Sequence, residues 1–453
     1  MKVTYRQYML GVMVFVWAFN AVDVNALGLA MQNIKIDLHL SDTQLGVLTG
    51  IATALLYSIM GVPLARWADR GNRVTILSLT AAVWSVLVCL CGTATSFIQL
   101  LLLRMGVGIG EAGCMPTSQS LLADYYTRAE RPRAMALFLL GDVICMFFGL
   151  FVAGWLNQLY GWRVMFGVLG LPGLLLAALV RLTFKEPRLQ KKLPEESPAA
   201  TPGIAPPATI APAPTPSLKD VYVTLWTTPT FRHLLLYWSI GAFFASGIVQ
   251  WQPSFLIRSY SMSTGELGTW MGFLYGSSIL VGRLSGGELA SRLAANNERL
   301  QLKVMALTYC LAGVCSTFIY LSPHRYVVFA FMWLSLTLTN LAFPPSLALL
   351  QTLVPERMRA VAVATVYFCA ALLGNGFGPL AAGALSDLLR PHFGEESLRY
   401  ALMALSPGYV WAAWYLWRGS HTVTGDLQRV VPESQEGADR NPDVSGKVTG
   451  VLT

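Results

Sequence analysis

Four ionisable side chains interrupt long apolar runs in the first half of the chain: Asp23, Arg104, Glu111 and Asp142. A charge at the centre of a bilayer costs about 2.5–3.5 kcal/mol on insertion scales, so each needs a partner or a function. At 1.5 Å per helical residue, Asp23 lies about 12 Å and Arg104 about 10 Å below the outer ends of their runs. The two are level, and an ion pair between them is geometrically reasonable. Glu111 is two helical turns past Arg104, on the same face and about 10 Å deeper, while Asp142 sits about 14 Å from the inner end of its run. Burial favours a protonated carboxyl and a nearby guanidinium favours an ionised one. Movement of Arg104 toward or away from Asp23 or Glu111 therefore shifts a proton. The chemistry these residues suggest is proton binding linked to a change of conformation. The alternative at each position is a static ion pair that only holds helices together, and nothing in the sequence supplies a partner for Asp142.

The elements that must position these residues are membrane-spanning helices. Hydrophobic residues make up 54% of the 453 and charged ones 12%, against roughly 25% charged in soluble domains. Mean hydropathy is +0.52. Runs of about 20 apolar residues, the length that crosses a bilayer, fall at 8–31, 44–66, 74–95, 98–123, 133–157 and 162–184. A second set falls at 233–257, 266–290, 302–321, 326–353, 360–388 and 398–418. The first is too long for a signal-peptide core and is read as a retained span. The net charge of +8 is carried by short loops. Lys and Arg cluster in alternate loops, for example at Arg66, Arg70 and Arg73, at Arg128, Arg131 and Arg133, and at Arg357 and Arg359. That pattern assigns both termini and the central loop to the cytoplasm and excludes nucleic acid as the reason for the charge. The seven cysteines all lie in apolar segments without metal-ligand spacing and read as packing residues.

The organisation expected is a first bundle of six helices over 1–186, a cytoplasmic linker over 187–230, a second bundle over 231–418 and a disordered cytoplasmic tail over 419–453. The linker is rich in Pro, Ala and Thr from Pro194 to Pro216 and cannot bury a core. It ends in a short amphipathic stretch, Ser217 to Trp226, suited to the membrane surface. The two halves repeat: Glu130-Arg131-Pro132-Arg133-Ala134 recurs 226 positions later as Glu356-Arg357-Met358-Arg359-Ala360. Ala65-Arg66-Trp67-Ala68-Asp69-Arg70 likewise matches Gly287-Glu288-Leu289-Ala290-Ser291-Arg292 at a shift of 222.

Two six-span halves in parallel duplication are the layout of major facilitator proteins. Asp69-Arg70-Gly71-Asn72-Arg73 resembles the loop signature of that superfamily, with Ala65 where glycine is usual and Ser291 in place of the aspartate in the second copy. The resemblance implies a cytoplasmic latch made by Asp69, Arg70, Arg73, Arg131 and Arg133; otherwise these loop charges only set topology. Arg104-Met105-Gly106-Val107-Gly108-Ile109-Gly110-Glu111-Ala112-Gly113 is similar to span four of the Spinster family and its bacterial relatives. Gly61-Val62-Pro63-Leu64-Ala65-Arg66, Gly161-Trp162-Arg163 and Gly376-Phe377-Gly378-Pro379 with Gly383 and Asp387 also fit. The likeness implies proton coupling and conformational switching for Asp23, Arg104 and Glu111. Here Asn20-Ala21-Val22-Asp23-Val24 keeps the family's aspartate and loses its neighbouring arginine, which makes Arg104 the partner of Asp23.

The second half shows no charge deep in its spans on this reading. Its candidates for a substrate cavity are Gln250, Trp251 and Gln252, then Tyr275, Asn340, Tyr367 and Asn375, each with helix packing as the plainer role. Charge on one wall and aromatic surface on the other suits an amphiphile or an organic anion. The expected activity is alternating-access, proton-coupled transport of an amphiphilic or lipid-like small molecule by a monomer in a bacterial inner membrane. A proton symporter for a small organic acid, such as an aromatic or sugar acid, and a transporter-like membrane sensor are the alternatives. No metal cluster, nucleotide loop or nucleophile triad points to an enzyme, and no cofactor beyond the proton is expected.

Overall fold

The computed structural model describes residues 4–127, 130–190, 218–293, 297–355 and 358–439. Those residues form helices throughout. The first half comprises α1 (Tyr5–Leu38), α2 (Asp42–Thr49), α3 (Ile51–Arg70), α4 (Arg73–Cys91), α5 (Phe97–Glu111), α6 (Cys114–Tyr125), α7 (Arg131–Phe138), α8 (Leu140–Ile144), α9 (Leu150–Thr183) and α10 (Pro187–Gln190). The second comprises α11 (Leu218–Thr227), α12 (Pro229–Tyr260), α13 (Thr264–Leu293), α14 (Glu298–Leu321), α15 (Arg325–Leu341), α16 (Phe343–Thr352), α17 (Arg359–Cys369), α18 (Phe377–Phe393), α19 (Ser397–Leu405) and α20 (Gly408–Asp439). Wide π-helical turns, Cys145–Gly149 and Ala370–Gly376, join α8 to α9 and α17 to α18.

Side chains at the helix starts explain several boundaries. Ser41 accepts the Gln44 amide N–H while Gln44 reaches back to it, a reciprocal cap. Asn72, Ser96 and Asn297 accept from Thr75, Gln99 and Leu300 in the same way. Among the described residues, nine helical stretches are long and apolar enough to cross a membrane. One of these, Arg133–Thr183, holds 51 residues, about 75 Å if straight. It is not straight. Gly149 packs on Val22, Arg163 reaches Asp37, and then Thr183 bonds the Tyr8 hydroxyl. The chain thus climbs along α1, reverses at Gly161 (φ 82°) and returns. The 68-residue stretch Val361–Gln428 also reverses, near Gly394 (φ 56°): Asp387 meets Thr43, whereas Asp426 meets Thr230 at the other end.

The terminal end of the molecule carries Tyr5, Glu186 and Asp426, and the far end carries Asp42, Arg258 and Asp387. Small residues set the contact between halves. Gly154 and Gly268 abut with their backbones, as do Gly383 and Asp42, so a side chain at any of these glycines would collide with main chain.

One expectation needs correcting. The tail is helical well past residue 418, because α20 runs to Asp439. Its polar face makes specific bonds. Asp426 accepts the backbone N–H of Thr230 at 2.8 Å, capping α12, and Thr422 shares a hydrogen with the Thr230 hydroxyl at 2.7 Å. Over 419–439 the polar sequence is thus helix rather than disorder, and 440–453 lies outside the described residues. Of the linker, Pro187–Gln190 and Leu218–Thr227 are helical, and 191–217 lies outside the described residues.

Candidate functional site

Asp23 and Arg104 come together as their levels in the sequence suggest. Arg104 donates to an Asp23 oxygen at 2.7 Å, and both residues are buried, at 1% and 2% exposure. The pair joins α1 to α5. Close packing of α5 makes the approach possible, since Gly108 and Gly110 lie against the Thr53 carbonyl and Trp84. Glu111, 3% exposed, closes α5 within reach of both Asp23 and Arg104. Among the described residues, the second Asp23 oxygen, Arg104 Nε and Glu111 Oε1 have no hydrogen-bond partner. One cation and two carboxyls therefore lie together in the buried interior, with donors and acceptors unpaired among the described residues.

Asp142 lies elsewhere, against the second half. One oxygen accepts Trp17 Nε1–H at 2.8 Å and the other accepts from Arg283 at 3.1 Å. Arg283 lies within α13, inside the span expected at 266–290, and it overturns the reading that the second half carries no deep charge. Its guanidinium sits 4.8 Å over the Phe343 ring. The signal was present in Gly282-Arg283-Leu284, where the arginine interrupts an apolar run.

The halves also meet at the far end through a buried ion cluster that sequence reasoning missed. Arg258 holds both Asp42 oxygens at 2.7 Å each, Lys35 donates to Asp42 at 2.5 Å and Ser386 at 2.7 Å. Asp387, from the second half, accepts the backbone N–H groups of Asp42 and Thr43 at 3.1 and 2.7 Å and the Thr43 hydroxyl at 2.6 Å. A carboxylate from one half thus caps a helix of the other. Lys35 and Arg258 lie at the ends of apolar runs, where a charge reads simply as a loop residue. The reciprocal cap Ser41-x-x-Gln44 marked the helix start but not its partner. The described hydrogen bonds between the halves cluster at this end, with Asp142–Arg283 at mid-depth.

The expected latch residues do not form one group. The side chain of Asp69 lies outside the described residues. Arg73 is buried within the first half, bonded to Glu186, to Asp124 at 2.7 Å and to the Ser120 carbonyl at 2.9 Å. Arg131 donates to the Tyr126 carbonyl at 3.2 Å, and Arg70 and Arg133 are exposed. Burial pushes the Glu186 carboxyl up, but hydrogen bonds from the Arg73 side chain and backbone outweigh it and hold Glu186 below its ordinary value.

Of the substrate candidates, Gln250 and Tyr275 line a small cavity between the halves with Asn25, Gly28, Leu29 and Leu150. The Gln250 amide nitrogen is buried there without a partner among the described residues, and Tyr275 donates to Gln252 at 2.6 Å. Trp251 faces the core instead, donating to the Pro379 carbonyl at 2.9 Å. Asn340 bonds the Leu336 carbonyl one turn back, at 2.9 Å. Tyr367 is 42% exposed and packs on Trp238; Asn375 is exposed in the second π-helical turn.

The family model of the Major Facilitator Superfamily matches residues 13–379. The chain belongs to the major facilitator superfamily. It is thus a transporter rather than an enzyme, and a multi-pass protein of the cell membrane. This transporter is 30% identical over 395 residues to an MFS-type efflux pump of Mycolicibacterium smegmatis, covering 87% of this chain and 88% of that one. It is 26% identical over 291 residues to the cis,cis-muconate transport protein of Acinetobacter baylyi, covering 62% and 66%. Its fold matches the crystal structure of a bacterial homologue of the lysosomal transporter Spinster, in an inward-facing and unoccupied conformation. The TM-score is 0.82 at 27% identity, over 94% of this chain and 99% of that one.

Proposed function

We propose that this transporter works by alternating access, is driven by protons, and moves an amphiphilic or lipid-like small molecule. The observation that carries the proton step is the buried group of Asp23, Arg104 and Glu111. With both carboxyls ionised the group would hold a net charge of −1 in a buried interior, which is costly. One proton neutralises it. When Arg104 leaves Asp23 during a conformational change, Asp23 loses the charge that favours its ionised form and takes up a proton, which departs when Arg104 returns. The chain crosses the membrane twelve times on this reading, with both termini in the cytoplasm. The two reversals at Gly161 and Gly394, together with α13 as a further crossing, support that count. The closed far end would then be extracellular, and the cavity would open inward. The similarity to an efflux pump favours export.

A second reading, symport of a small organic acid, is favoured by the similarity to a muconate transport protein and by the cationic Arg283 at the contact between the halves.

The test uses proteoliposomes and a substrate found by thermal-shift screening of lysolipids, organic acids and cationic drugs. Asp23→Asn and Glu111→Gln should each abolish transport driven by an imposed pH gradient while the protein still folds. Wild-type rates that ignore the gradient would overturn proton coupling.

A further inference from the structure

Among the described residues two ion pairs bridge the halves, and they differ in build. At the far end Asp42 and Arg258 are joined by two bonds of 2.7 Å, with side-chain exposures of 0% and 4%. At mid-depth Asp142 and Arg283 share a single contact of 3.1 Å, and their side chains are 20% and 30% exposed. Arg283 Nε is buried without a partner among the described residues. An arginine about 15 Å from the end of its helix is held by one long bond although its planar head can make two short ones.

What surrounds it is a wall of rings. Phe343 lies under the guanidinium, Trp238 stands 5.3 Å from Phe343, and Tyr367 stands 5.5 Å from Trp238. The Trp238 indole N–H is also buried without a partner among the described residues. A fork of cationic donors, a spare N–H and an aromatic surface together fit a carboxylate or phosphate carried on an apolar or aromatic body. Asp142 would not be stranded by losing Arg283, because Trp17 continues to donate to it.

Resting on the transport reading above, we propose that Arg283 is the anion-binding residue of the second half. Asp142 occupies it as an internal stand-in, and the anionic group of an amphiphilic substrate displaces it. Since α8 and α13 belong to opposite halves, displacement also removes the tie between them at mid-depth. Substrate binding thereby loosens the contact that alternation has to break.

The test is equilibrium binding to the full-length protein in nanodiscs, without a pH gradient, followed by tryptophan fluorescence. The probes are 4-phenylbutyrate, 4-phenylbutanol, 4-phenylbutylamine and lysophosphatidate. At least one of the two anions should bind about tenfold more tightly than the alcohol and the amine. Asp142→Asn, which keeps an acceptor for Trp17, should tighten anion binding about tenfold by removing the competitor, and Arg283→Gln should lose it. Phenylbutyrate binding alone would assign a free organic acid, and lysophosphatidate alone a lipid headgroup; either supports the site. An Asp142→Asn protein with unchanged or weaker anion affinity would overturn it, as would tightest binding of the amine. If Arg283→Gln fails to fold, the Asp142→Asn result decides. Anion binding without pH-driven transport would sink only the proton reading, and pH-driven transport without anion binding only this one.

Discussion

Arg73 has 0% exposure and bonds to Glu186, Asp124 and Ser120, tying the start of α4 to the segment after α9. Glu186→Gln leaves Arg73 with Asp124 as its one ionic partner among the described residues, so it should destabilise the fold by about 1–3 kcal/mol, read as a lower melting temperature in detergent. The pH dependence follows from the depressed folded-state value of Glu186. Its stabilisation is complete above the unfolded value of about 4.3 and is lost as pH falls below that. The wild type should therefore lose melting temperature on acidification below about pH 4.5 more steeply than Glu186→Gln. A Glu186→Gln protein with an unchanged acid limb would show that the pair contributes nothing. At this scale the sequence was readable where geometry follows from depth along a helix. Asp23 and Arg104 meet because their levels are fixed by 1.5 Å per residue. Arg73 with Glu186, and Asp42 with Arg258, are separated by over a hundred residues. Their meeting depends on how whole helices lie side by side, which spacing along the chain does not encode.

Apolar run length located the helices, and their true ends lie a few residues beyond most of the expected spans, as with Tyr5–Leu38 against 8–31. Caps and interfacial turns extend a helix beyond the stretch that needs lipid. Gly161 shows how a reversal is encoded locally. Its φ of 82° with ψ of 166° lies in a region open almost only to glycine, and an added Cβ would meet nothing within 4 Å. Any cost of substitution is therefore conformational. Gly161→Ala and Gly161→Ser should each lower stability by about 1–3 kcal/mol, and by similar amounts. Equal melting temperatures for wild type and Gly161→Ala would contradict that.

The duplication was legible in the sequence because loop strings such as Glu-Arg-x-Arg-Ala recur. The resting conformation was not, because it depends on contacts between halves. Closure of the far end rests on Asp42, whose carboxylate neutralises Arg258 and Lys35. Asp42→Ala leaves two cations facing each other, a cost of about 3–5 kcal/mol to the closed arrangement and enough to repopulate others by more than tenfold. Spin labels at His39→Cys and His392→Cys should report longer distances in Asp42→Ala than in the wild type, and unchanged distances would remove Asp42 from the gate. The π-helical turns carry a different consequence. Cys145–Gly149 and Ala370–Gly376 occupy corresponding places in the two halves, at the same shift of 226 as the repeated loop strings. Each fits an extra residue into one turn, and one residue rotates a helix by about 100°. A stripe of side chains followed along either helix therefore slips in phase at that point. The face that Asp142 shows to Arg283 is not the face its own helix shows one turn later. Each half thus contains one crossing helix that looks two ways, toward its own bundle on one side of the slip and toward its twin on the other.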